Sequence, residues 1–214
     1  MEEPGAVSVR GRGTRERVIA AAIEVFADSG YEGATVRGVC RRAGVNVAAV
    51  NYHFGSKRAL YRAVFDHVFR RLRRARTPHL PVSATPRERL RAFVAAAFDE
   101  LVYREGERRT QVAALVLREM ARPTEVLNWV VEAHLHADHA ELKDILERLL
   151  GRGATPERVR DAAASVMGQV LYHYYARAVS ERLNPGTPPL EERRDELVEH
   201  VTRFSLGGIQ GLRA

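Results

Sequence analysis

The chain has 214 residues, 45% hydrophobic and 29% charged, with a formal charge of +7 and a pI near 10.0. That length and balance describe a globular protein with ample chain for a real core; no apolar run is long enough to cross a bilayer, and the opening MEEPGAVSVRGRG lacks the apolar region of a signal peptide, so the expected location is the cytoplasm. The single cysteine, Cys40, excludes an internal disulfide and any cysteine-built zinc or iron–sulfur centre, and nothing in the sequence calls for a cofactor.

The first predicted helix carries Ile19, Ala22, Ile23 and Phe26 at helical spacing, with Thr14 as its N-cap and Ser29-Gly30 as its stop. Thr35 caps a short second helix whose inner face is Val36, Val39, Cys40 and Ala43, and Gly44 ends it. Asn46 caps a third, from Val47 to about His53, closed by Gly55. Ser56 caps a fourth, with Leu60, Val64, Val68 and Leu72 as one apolar stripe. Two short helices joined by a tight turn at Gly44 make a helix-turn-helix, with the second of the pair as the reading helix. After RRLRRAR (70–76), the proline-rich TPHLPVSATP (77–86) marks a boundary. Beyond it helices are predicted at Pro86 to Glu105, Arg108 to Ala121, Thr124 to Leu150, Pro156 to Leu183 and Leu190 to about Leu206, with breaks at Gly106, Pro123, GRGATP and NPGTPP. The reading is an all-α chain: a three-helix DNA-binding domain with a helix-turn-helix (residues 12–72, motif about 35–54) behind a flexible basic arm (1–11), then a larger helical domain over 77–214.

The charge is unevenly distributed. Residues 1–76 hold 15 Lys and Arg against 7 Asp and Glu, whereas residues 77–214 hold 19 against 20. All the positive excess therefore lies with the helix-turn-helix, as a polyanion partner requires. An arginine-biased composition, 32 of the 34 cations, explains the residue type but not the asymmetry.

On the reading helix, Val47, Ala48 and Asn51 share the outward N-terminal side while Val50 and Phe54 turn to the core. Val47 and Ala48 suit thymine methyls, Asn51 has the amide that fits adenine, and Tyr52 and His53 are placed to donate to phosphates. Lys57 stands in the first turn of the fourth helix, where free backbone N–H groups attract an anion. Arg10, Arg12, Arg15 and Arg17 form either an arm for the minor groove or a disordered basic tail.

The stretch TVRGVCRRAGVNVAAVNYHFGSKRALYRAV (35–64) resembles the DNA-binding motif of TetR-type transcriptional regulators, over roughly residues 12–72. The resemblance implies that Thr35 and Lys57 touch phosphates, that Arg37 reaches a base edge and that Tyr52 and His53 hold the backbone. Two positions depart from the pattern. Val50-Asn51 stands where many relatives have Leu-Tyr, leaving Asn51 as a base reader or a local hydrogen-bonding residue, and Cys40 replaces the usual alanine as core filling. REMARPTEVLNWVVEAHL and ASVMGQVLYHYYARAVSERL are similar to the C-terminal domain of the CecR-like subgroup. That implies a homodimer through the last two long helices and a small-molecule effector cavity in each subunit.

Periodicity alone leaves open whether Val159, Ala163, Val166, Val170, Leu197, Val201 and Phe204 are buried in one subunit or against a twin. Phe98, Met120, Trp129, His134, Met167, His173 and Tyr174 are candidates to line a cavity, or are plain core. In HLHADH, His134 and His136 project about 200° apart on a helix and only His136 and His139 share a face, so a metal site is disfavoured against a surface helix, with His134 left the option of facing inward. No catalytic constellation emerges. The expected function is a ligand-responsive regulator, most simply a repressor, on a palindromic operator of double-stranded DNA, with no membrane partner. The alternatives are an architectural DNA-binding protein and a helical metalloenzyme using the HLHADH histidines.

Overall fold

The computed structural model describes residues 9–75, 80–101 and 107–213. Among them the regular elements are all helical: α1 Val9–Gly33, α2 Val36–Ala43, α3 Val47–Phe54, α4 Lys57–Ala75, α5 Pro86–Leu101, α6 Glu107–Ala121, α7 Leu127–Val130, α8 His136–Leu150, α9 Pro156–Tyr175, α10 Arg177–Leu183 and α11 Arg194–Gly211. A π-helical turn, Val131–Leu135, joins α7 to α8. The chain forms two compact units, residues 1–73 with 106–134, and residues 74–105 with 135–214.

Residues 106–134, which the sequence reading places with the larger C-terminal domain, fall in this division with α1–α4. The reason is visible on α4. Its predicted stripe of Leu60, Val64 and Val68 is buried, but so are Tyr61, Phe65 and Phe69 on the adjacent stripe. A helix apolar over so wide an arc needs cover on two sides, and α6 and the π-helical turn bring contacts to the second: the Tyr61 hydroxyl donates to Glu119 at 2.9 Å, and Phe69 stacks on His134 at 4.7 Å.

Within this first unit, α1 starts five residues before Thr14, so Thr14 is an interior helical residue rather than the cap, and residues 9–11 of the expected arm are helical. Residues 1–8 lie outside the described residues. The predicted stop at Gly30 is a break in α1, with φ 71° and ψ 175°, a conformation that favours glycine. The carbonyls stranded there are taken up by Arg118 of α6, whose Nη1 donates to Ala27 O at 2.8 Å and Asp28 O at 3.1 Å.

The second unit packs α5, α8, α9 and α11 around one apolar core. Leu90, Val94 and Phe98 of α5 meet Leu142, Ile145 and Leu146 of α8, Val159, Ala163, Val166 and Val170 of α9, and Leu197, Val198 and Val201 of α11. A capping box opens α5: Thr85 Oγ1 accepts from Glu88 N–H while the Glu88 carboxylate accepts from Thr85 N–H and hydroxyl, which holds that carboxyl below its ordinary pKa. The sequence carries this box as the spacing T-x-x-E at 85–88. Arg194 of α11 forks onto Asp99 of α5. The helix predicted over Pro156 to Leu183 is divided at Ala176 into α9 and α10.

Candidate nucleic-acid interface

The helix-turn-helix is built by short-range capping. Thr35 Oγ1 accepts from Gly38 N–H at 3.0 Å and starts α2; Gly44, at φ 62°, ends it in the left-handed conformation that a glycine adopts without strain; Asn46 Oδ1 accepts from Ala49 N–H at 2.8 Å and starts α3. One long-range tie fixes the turn: Arg17 Nη2 donates to Ala43 O at 2.7 Å and Gly44 O at 3.2 Å. Arg15, in turn, lies 5.3 Å over the Phe54 ring. Both arginines were candidates for a minor-groove arm, and both instead brace the motif from within α1. The side chains of Arg10 and Arg12 lie outside the described residues.

The outer face of α3 consists of Val47, 39% exposed, Ala48, Asn51 and Tyr52, 86% exposed, while Val50 is buried and His53 and Phe54 are half-buried. Asn46 is exposed but its amide oxygen is committed to the cap. Arg37 is exposed on α2, and so is Thr35, whose hydroxyl oxygen accepts the cap bond. Ser56 Oγ accepts from Ala59 N–H and opens α4. Lys57 is more constrained than a surface cation: its Nζ donates to Glu32 O at 3.3 Å and sits 4.6 Å over the Tyr31 ring. Two of its three N–H groups remain for an anion.

The residues expected to line a cavity are divided between the two units. Met120, Trp129 and His134 belong to the first unit and Phe98, Met167, His173 and Tyr174 to the second. Met120 is half exposed. His134 turns inward, its Nε2 3.1 Å from Asp66 Oδ1, its ring stacked on Phe69 and edge-on to Trp129, which itself lies under the Arg62 guanidinium. His136 and His139 are exposed. In the second unit Phe98 is fully buried, and Met167 and Tyr174 pack against the core. His173, 5.7 Å from the Phe98 ring, reaches an open groove of about 360 Å³ lined by Ser165, Gly168, Gln169, Tyr172, His200 and Val201. Burial, with Arg193 and His200 nearby, lowers the His173 pKa.

The seven residues offered for a dimer interface are corrected likewise. Val159, Ala163, Val166, Val170, Leu197 and Val201 are each at most 3% exposed within the chain itself, so they have no surface left for a twin. Phe204 is the exception at 66%, and Tyr172 and Tyr175 on α9 are exposed with it.

A basic helix-turn-helix with a capped, outward-facing reading helix, carried on an all-α chain with a second helical unit, defines a helix-turn-helix DNA-binding protein. Residues 18–64 match the family model of bacterial regulatory proteins of the tetR family, and residues 86–209 match the C-terminal domain of the HTH-type transcriptional dual regulator CecR. The chain belongs to the TetR family of transcriptional regulators, with a CecR-type C-terminal domain. It is 30% identical over 160 residues to the HTH-type transcriptional regulator BetI of Burkholderia thailandensis, covering 71% of this chain and 75% of that one. It is 26% identical to the HTH-type transcriptional dual regulator CecR of Shigella flexneri, covering 97% and 96%. The crystal structure of a transcriptional regulator from Rhodococcus sp. Rha1 is similar at a TM-score of 0.61 and 25% identity, over 92% of this chain and 96% of that chain. Among the described residues no helix is long and apolar enough to cross a membrane.

Proposed function

We propose that this regulator acts in the cytoplasm as a homodimer on a palindromic operator, and that a small molecule bound by its C-terminal region releases it, which makes it a repressor. The observation that carries the reading is the outer face of α3, a capped helix with small exposed side chains at its N-terminal end, set in the segment that holds the whole positive excess of the chain. Val47, Ala48 and Asn51 face base edges, with Arg37 reaching in from α2. Thr35, Tyr52, His53 and Lys57 take phosphates, while Asn46 serves by holding the first turn of α3. Twofold pairing places two such helices about one duplex turn, ~34 Å, apart. The exposed aromatic face of α9 and α11, with Tyr172, Tyr175 and Phe204, supports the pairing.

An effector lowers operator affinity only by binding the released and DNA-bound forms unequally; a coupling of ~1 to 3 kcal/mol changes that affinity about 5- to 150-fold. The test is selection from a random pool of duplex DNA by the purified full chain at physiological salt. Recovery of an inverted repeat with half-sites one turn apart is the expected result. Retention with no shared sequence, or none at all, overturns the reading.

A further inference from the structure

We propose that the core of each operator half-site, the three base pairs beneath α3, is built of A·T pairs: an adenine held by Asn51, flanked by thymines whose methyl groups pack on Val47 and Ala48. This rests on the operator-binding reading above and names the bases that reading leaves open.

The argument comes from what the exposed face of α3 carries and what it lacks. Its outward side chains are Val47, Ala48, Asn51 and Tyr52. In the major groove a guanine is held by a cation on its O6 and N7, and a cytosine by a carboxylate that accepts from its N4 amine. Among α3 residues 47–54 there is no lysine, arginine, aspartate or glutamate. The first turn's remaining amide, Asn46, has its oxygen bonded to Ala49 N–H at 2.8 Å, so it is not available as half of a bidentate pair. Asn51 has its side chain exposed one turn further on. Its amide is the one group on this face with both a donor and an acceptor in the fork that matches adenine N6 and N7.

The surroundings of Asn51 fix its neighbours. It stands four residues after Val47 and three after Ala48, the two spacings that bring side chains together on a helix surface. The amide is therefore bordered on both sides by methyl groups, and the base edge that rewards such contact is the C5-methyl of thymine. Val47 keeps 39% of its surface open, apolar area for that methyl to cover. Arginines able to take a guanine, Arg37 and Arg41, are exposed on α2, so guanine readout falls outside the triplet under α3.

The test uses the sites recovered from the random pool by the full chain. A half-site whose central triplet is all A·T is expected. Replacing single thymines in a recovered duplex by uracil deletes only the methyl group and lowers affinity about fourfold at each contacted position. Replacing the central adenine by 7-deazaadenine deletes only N7, one of the two hydrogen bonds of the pair, and lowers the affinity of the wild-type chain about 2- to 12-fold, whereas the same replacement costs the Asn51→Ala chain nothing. An inverted repeat with G·C pairs at the centre, or one indifferent to uracil at every position, overturns the inference and leaves the regulator reading standing. A pool that yields no preferred sequence removes both. The uracil arm needs no protein variant, so a poorly folding Asn51→Ala does not spare the proposal.

Discussion

The buried carboxylate of Glu119 offers a direct measurement of how α6 is joined to the first unit. Glu119 is 2% exposed and Tyr61 1%. One carboxylate oxygen accepts from the Tyr61 hydroxyl at 2.9 Å, and the other from Thr124 N–H at 2.9 Å and its hydroxyl at 2.8 Å. Tyr61→Phe deletes one hydrogen bond to a charged acceptor and opens no cavity larger than an oxygen, a loss of about 1.5 to 3 kcal/mol. For a chain above 150 residues each kcal/mol is worth about 2 to 4 °C, so Tm falls by about 3 to 12 °C. Glu119→Ala costs more, because it strands the buried Tyr61 hydroxyl; Thr124 is half-exposed and recovers part of its loss from solvent. In the double variant the stranded hydroxyl is gone, so the two losses are less than additive by about 1 to 3 kcal/mol. Thermal and urea unfolding followed by circular dichroism read the cycle. A Tyr61→Phe chain that melts within 1 °C of wild type, or a strictly additive double variant, refutes the network as a joint.

Lys57→Ala weakens binding to all DNA sequences alike and lowers the slope of log affinity against log salt by about one, read by fluorescence anisotropy across a salt series. A change confined to one base pair contradicts its role as a phosphate contact. Phe204→Glu, on the exposed face of α11, shifts the chain from dimer toward monomer in sedimentation velocity while far-UV dichroism stays unchanged; an undisturbed dimer moves the pairing surface elsewhere. His173 gives a pH dependence of definite sign. Its folded-state pKa is lowered by burial, then by Arg193 and His200, from an ordinary 6.5. The unfolded chain takes the proton first as pH drops, so the stability it contributes is present above pH 6.5 and is lost below it. His173→Gln flattens that part of the pH–Tm curve, and an unchanged slope refutes the assignment.

The arginine bias finds a structural use that composition could not announce. Arg17 takes the last carbonyls of α2, Arg118 those of α1 ahead of its break, Arg213 the Leu149 carbonyl at the end of α8 and Arg158 the Leu212 carbonyl after α11. Four helix ends are closed by a cation distant in sequence, the place where the helix dipole favours positive charge and free carbonyls need donors. Counting all the cations of the first 76 residues as DNA contacts therefore overstates the interface: Arg17 is spent on the turn, Arg42 on Glu24 and Arg58 on Glu125.

By itself the sequence determined the helix-turn-helix, since that motif is made of contacts three or four residues long: Thr35 to Gly38, the glycine turn at 44, Asn46 to Ala49, Ser56 to Ala59. It also determined the outward set Val47, Ala48, Asn51 and Tyr52, because one buried residue, Val50, fixes the rotation of so short a helix. Only the tertiary structure decided what covers each apolar stripe. Helical periodicity says that a stripe is covered and never by what, and so it could neither assign residues 106–134 to the unit of α1–α4 nor tell that Val159 to Val201 were already enclosed by α5 and α8. The Tyr61–Glu119 bond, between residues 58 apart, and the Arg118 closure of α1, across about 90, were beyond it for the same reason: their partners are chosen by packing, not by spacing.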